Sequence, residues 1–170
     1  MLRDPEGFRQ TLRPACRRCT ARYGITGPVA CHLPPHLTVC RRHQLWIGPA
    51  ARSHAAQLDV SPFPEVLRAQ RRHLALVHQH DWWQVDTAIS HATLAIHRVL
   101  RDGGWTPPQP SPQLGPGAWH QAHPGMPSIG PGRHDDGPGH LAVEIAIYPD
   151  VVRLAARSLR AHNTSQRAAP

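Results

Sequence analysis

Two short stretches constrain this chain more than anything else in it: CRRC at Cys16–Cys19 and, after twenty intervening residues, CRRH at Cys40–His43. A two-residue spacing lets a tight turn aim two ligand atoms at one ion, and two such turns complete a tetrahedron. Three thiolates and one imidazole make Cys16, Cys19, Cys40 and His43 the expected ligands of a zinc ion. A full set of four protein ligands leaves no open position, so the ion is expected to hold the fold rather than react. Such sites contribute roughly 10–16 kcal/mol of apparent binding energy, enough to decide whether a small module folds. The arginine pairs inside the motifs admit two roles. Arg17, Arg18, Arg41 and Arg42 can offset the net negative charge of three thiolates and an imidazole on Zn2+, or they can face outward to phosphate.

The rest of the chain is sized to need that staple. Of 170 residues, 19 are proline and 13 glycine, most of them in the second half. The packed part is then roughly 100 residues, marginal without a metal. The expected fold class is mainly α, with a small zinc-bound knuckle or ribbon module followed by an antiparallel helical hairpin. Residues 1–12 read as a polar lead-in and 13–50 as the zinc module. Residues 51–104 read as the hairpin packed on it. In SPFPEVLRAQRRHLALVHQH, Ser61 is the expected cap and Pro62 the first helical residue, with Glu65 at the positive end of the dipole. Val66, Ala69, His73, Leu76 and Val77 form an apolar face, opposite Arg68, Arg71 and Arg72. After Asp81, the residues Trp82, Val85, Ile89, Ala92, Ile96 and Val99 recur at spacings of three and four, a helix closed by Gly103 and Gly104. Residues 105–139 are too rich in proline and glycine to pack and read as a flexible linker. Residues 140–162 regain periodicity as a C-terminal helical segment, with Pro149 suited to a first turn and Val151, Leu154, Ala155 and Leu159 on one side. Residues 163–170 read as a disordered tail.

The formal net charge is +8, and all nineteen basic residues are arginine. A basic surface attracts polyanions, nucleic acid first among them, and guanidinium groups bind phosphate bidentately. The arginines at the knuckles (17, 18, 41, 42) and on the following helix (68, 71, 72) are the candidate contacts. No run is apolar enough to span a membrane and no leader is evident, so a cytoplasmic protein is expected. In a reducing compartment, clustered cysteines are metal ligands more often than disulfides. Cys31, His32 and His36 lie between the pairs without the knuckle spacing, and Cys31 reads as a small buried residue. His78 and His80 lack carboxylate or cysteine company, and His134-Asp135-Asp136 falls in the linker. No phosphate-binding glycine loop, serine-nucleophile elbow or HExxH occurs. The expectation is therefore a non-enzymatic protein without a small-molecule substrate.

Taken together, CRRC…GITGPVAC…LPPHLTVCRRHQLWIG and the two helices after it resemble the TniQ family, over roughly residues 13–101. The resemblance implies a zinc-stabilised adaptor that helps select the target for a transposase and its AAA+ ATPase, with Cys16, Cys19, Cys40 and His43 as the zinc ligands. The segment ahead of the zinc pairs is shorter than is usual in that family, and the proline-rich stretch is not one of its hallmarks. A DNA- or RNA-binding zinc-finger regulator unrelated to transposition is the alternative, and a histidine-based nuclease would need a second rigid metal site.

Overall fold

A computed structural model describes residues 11–102 and 138–168. The described elements are β1 (Thr11–Pro14), α1 (Arg17–Ala21), β2 (Ala30–Leu33), α2 (Pro64–Gln79), α3 (Trp82–Arg101) and α4 (Pro138–Ala168). The protein is mainly helical with one small antiparallel ribbon, as the sequence predicts. The linker expected at 105–139 lies outside the described residues, except that Pro138 and Gly139 already belong to α4. The chain divides into two compact units, Met1–Asp86 and Thr87–Pro170, and the boundary falls inside α3.

In the first unit, β1 and β2 pair antiparallel with Leu12 opposite His32 and Arg13 opposite Cys31. Beyond the ribbon, isolated bridges join Val39 to Trp46 and Leu45 to Asp59. These bring Val39, Leu45, Trp46, Val60, Phe63 and Val66 into one fully buried core. Gly48 sits against it: a Cβ there would lie 2.9 Å from both Thr38 Cβ and the Trp46 ring, so only glycine fits without displacing the indole. Residues 51–63 were expected to open the helical hairpin. They belong instead to the body of the Cys/His module, where Trp46 N–H donates to Leu58 O and Val60 N–H to Gln44 O, both at 2.8 Å.

Helix α2 starts at Pro64, two residues later than expected, with Phe63 rather than Ser61 at the cap position. The residue before a proline is kept out of the α region, and Phe63 is accordingly non-helical at φ −114°, ψ 80°. Ser61 turns its N–H to Asp59 Oδ1 instead. The buried face carries Val66, Ala69, His73 and Leu76 as predicted, and Gln70 in addition. His80 and Asp81 join α2 to α3.

In the second unit, Ala92 and Ile96 of α3 pack against Ile147, Val151 and Ala155 of α4. His97 Nε2 and Glu144 Oε1 meet at 3.0 Å beside this cluster. Val99, expected on the apolar stripe, is 44% exposed. Pro149 lies within α4 rather than in its first turn. The helix continues because Ile145, Ile147, Tyr148, Val151 and Val152 are all buried on either side of the proline. Burial on that scale offsets the lost N–H, and packing here overrides local propensity. At its other end α4 runs on through residues 163–168, where a disordered tail was expected.

Candidate metal centre

Each ligand pair sits on a turn built by its own backbone. At the first, the N–H groups of Cys19 and Thr20 donate to Cys16 O at 2.9 and 3.1 Å, which starts the short α1. At the second, Cys40 N–H donates to Leu45 O at 2.8 Å and Gln44 N–H returns to Cys40 O at 2.7 Å. Gln44 takes the left-handed conformation, φ 52°, that closes this turn. The leading cysteine of each pair is treated alike. The backbone N–H groups of Arg18 and Cys19 donate to the Cys16 sulfur, and those of Arg42 and His43 to the Cys40 sulfur. The second arginine of each RR pair thus contributes a main-chain donor, which accounts for the position but not for the side chain.

The four side chains converge. Cys16 Sγ lies 3.5 Å from His43 Nδ1, Cys19 Sγ 3.3 Å from it and Cys40 Sγ 3.8 Å from it. Cys19 and Cys40 sulfurs are 3.7 Å apart, too far for a disulfide, whose sulfurs sit near 2.05 Å. All four ligand atoms lie within 4.8 Å of one another, and among the described residues no other set of three or more His, Cys, Asp or Glu side chains converges in this way. Cys16, Cys19, Cys40 and His43 could therefore hold a metal ion. Cys16 and Cys40 are buried, and with Leu45 and Ile47 they form a small cluster onto which Cys19, Leu33 and Leu37 pack.

The electrostatics call for a cation. Burial pushes the Cys19 thiol up to about 12, and the sulfur of Cys40 adds to it. Burial likewise raises Cys16, against the backbone N–H bonds it accepts. Burial also works against ionisation of Cys40, but the N–H groups of His43 and Arg42, together with the neighbouring thiols, carry it below its ordinary value. Burial thus opposes ionisation at all three sulfurs, and a bound metal ion would supply the positive charge that displaces their protons.

Three buried polar side chains brace the centre, and pattern reading missed all of them. Gln57 Oε1 accepts from Arg17 N–H at 2.8 Å, while its Nε2 donates to Ala15 O at 2.7 Å, so it clips both sides of the first turn. Gln70 on α2 accepts from the N–H groups of Thr38 and Val39 at 3.1 and 3.0 Å and donates to His36 O at 2.9 Å. It thereby pins the segment that leads into Cys40. Arg13 donates to Pro34 O, Leu37 O and Ile47 O at 2.7, 3.1 and 3.2 Å.

The candidate phosphate contacts divide. Arg17 is half-buried and donates to His54 O at 3.4 Å. Arg18 donates to His43 O and pairs with Asp59 at 3.3 Å. Ser61 and Arg18 hold the Asp59 carboxyl below its ordinary pKa although partial burial opposes them. Arg41, Arg42, Arg68, Arg71 and Arg72 are all exposed. Cys31 stays outside the metal set and is only half-buried. His36 faces His73 edge to face, at 6.3 Å between ring centroids. His134-Asp135-Asp136 lies outside the described residues. Among the described residues no helix is long and apolar enough to cross a membrane. No family model matches the chain, and no curated protein or solved structure is significantly similar to it.

Proposed function

We propose that this chain is a zinc-stabilised, non-enzymatic module that docks on nucleic acid, in an adaptor of the TniQ kind. The observation that carries the reading is a closed Cys3His set inside a module that holds no acidic residue between Thr11 and Leu58 but seven arginines. Zinc fits the cluster best. With Zn–S near 2.3 Å and Zn–N near 2.05 Å, a regular tetrahedron has S···S edges of about 3.8 Å and S···N edges of about 3.5 Å. The distances here are 3.7 Å for the sulfur pair and 3.3–3.8 Å for the sulfur–nitrogen contacts. Bound there, zinc closes the two turns on one another. Gln57 and Gln70 orient the turns, and the exposed arginines of α2 and of the second knuckle remain available for phosphate. The TniQ part of the proposal is supported by the paired motifs and the helices that follow them. A regulator unrelated to transposition would use the same surface, and the two readings separate by whether the chain binds a transposase or its ATPase.

Purified protein is expected to return about one zinc per chain, and Cys40→Ser to lose it. Log affinity for a duplex should fall linearly with log salt. Changing Arg68, Arg71 and Arg72 together to Gln should reduce the magnitude of that slope by up to about 2.7, at about 0.9 per phosphate contact. A chelated, metal-free protein that keeps its full fold would overturn the zinc assignment. Absence of binding to any nucleic acid at low salt would overturn the docking role.

A further inference from the structure

Residues 21–28, between α1 and β2, are eight consecutive exposed positions. Their backbone is nonetheless well tied. Tyr23 N–H and Ile25 N–H both donate to Thr20 O, at 2.9 and 3.2 Å, and Gly24 N–H donates to Ala21 O at 3.0 Å. Gly24 takes φ 75°, which only glycine adopts cheaply, and so tightens the turn. At the far end Val29 O accepts from Ala15 N–H at 2.7 Å, and Val29 N–H donates to His54 Nε2 at 3.4 Å. This ordered loop presents Tyr23 at 79% exposure and Ile25 at 44%. No described residue packs a ring or a charge on Tyr23.

An aromatic ring displayed on a prepaid backbone loses little entropy when something covers it. The surroundings say what that is. Arg22 is adjacent and exposed, and the acid-free stretch described above runs through the loop from end to end. A protein partner's apolar pocket would use the ring and have no need of an exposed arginine beside it in an acid-free segment. A nucleic-acid strand uses both, with guanidinium groups on its phosphates and the ring on a base. In continuous duplex the bases are already stacked on one another and inserting a ring costs unstacking energy, so a side chain stacks most readily where a base is unpaired.

Resting on the nucleic-acid reading above, we infer that Tyr23 is a stacking platform for an unpaired base. The zinc module then engages a single-stranded segment through Tyr23 and the duplex or strand backbone through its arginines.

The test uses the zinc-loaded full chain with labelled oligonucleotides: one 20-mer single strand, the same strand carrying abasic sites, and its duplex. Tyr23→Ala should weaken single-strand binding about 5- to 100-fold, the range that stacking of one base on an aromatic side chain supports. Duplex affinity should change less than about twofold, and the salt slope should stay the same, because no phosphate contact is lost. Tyr23→Phe should bind as wild type does. Abasic strands should lose the same factor with the wild-type protein, a comparison that involves no mutation. Single-strand affinity that is indifferent to both Tyr23→Ala and base removal would overturn the inference, assigning the loop to a protein contact or to solvent. In that case retained duplex binding would leave the nucleic-acid reading intact. Failure of the wild type to bind either strand or duplex would overturn both.

Discussion

Gln70 shows how much of a metal site lies beyond its ligands. Its single side-chain amide satisfies two buried main-chain donors and one main-chain acceptor in the segment that ends at Cys40. A buried polar group left without a partner costs about 1–3 kcal/mol. Gln70→Leu strands several at once and is expected to destabilise the first unit by about 3 kcal/mol or more, measured by urea unfolding with zinc in excess. Because the amide orients the second turn, zinc affinity should fall about 10- to 100-fold in a competition titration with a chromophoric chelator. The neighbouring Arg71→Gln, on the exposed side, should change neither. In the sequence, Gln70 stands among arginines and looks like one more solvated residue. The one trace of its role is its place a single turn after Val66, on the face that is otherwise apolar. Gln57 offers less still, since the segment around it has no helical or strand period to place it. The four ligands were legible because their chemistry demands a spacing. The braces were not, because a glutamine that bonds main-chain groups across thirty or forty residues leaves no local pattern.

At the scale of elements, the helices were legible from their apolar periods and their ends were not. Two prolines account for the largest differences. Pro64 follows Phe63 and denies it the α conformation, so α2 begins at Pro64 and Ser61 is left outside. That rule is written in the sequence, and Pro62 merely offered a competing start. Pro149 is the reverse case. It lies mid-helix, lacks the N–H that would reach the carbonyl of Ile145, and is tolerated because burial surrounds it. A proline in a helix interior costs about 3 kcal/mol relative to alanine. Pro149→Ala is therefore expected to stabilise α4 by up to about that amount. Amide exchange should slow on both sides of residue 149, and the unfolding midpoint of the second unit should rise. A drop in stability would mean that the ring itself fills a place that alanine leaves empty. Val99 makes the complementary point. Its period matches the stripe of α3, but the helix leaves it 44% exposed.

For the molecule as a whole, charge and acid response are the properties that follow. His73 is fully buried, and burial, with His36 beside it, lowers its pKa to about 4. An unfolded histidine titrates near 6.5, so between about pH 6.5 and 4 the unfolded chain binds a proton that the folded one does not. Stability from this residue is fully present above pH 6.5 and is lost as pH falls through that window, by about 3 kcal/mol at most. Urea midpoints measured from pH 7.5 to 4.5 should fall accordingly, and His73→Gln should flatten the part of the decline that remains when zinc is saturating. On the zinc reading, Cys16, Cys19, Cys40 and His43 contribute to the same decline by taking up protons, so the variant separates the two. The cationic character of the chain was plain from composition. Which arginines are spent internally was not: Arg13 and Arg18 are committed to carbonyls and to Asp59, while the arginines on the outer side of α2 are not.

The placement of Gln70 also has a meaning in time. The last candidate ligand, His43, leaves the ribosome twenty-seven residues before the glutamine that holds the segment ahead of it. At synthesis rates of roughly 5–20 residues per second, the gap is about 1–5 seconds. During that interval the nascent chain carries all four ligands but not the brace that positions two of them. A metal ion acquired then would be held by a loose loop and open to exchange with competing thiols. Metal acquired after α2 has emerged is held by a finished clamp. On the zinc reading proposed above, the ion that the finished protein retains is therefore the one supplied after α2 has emerged.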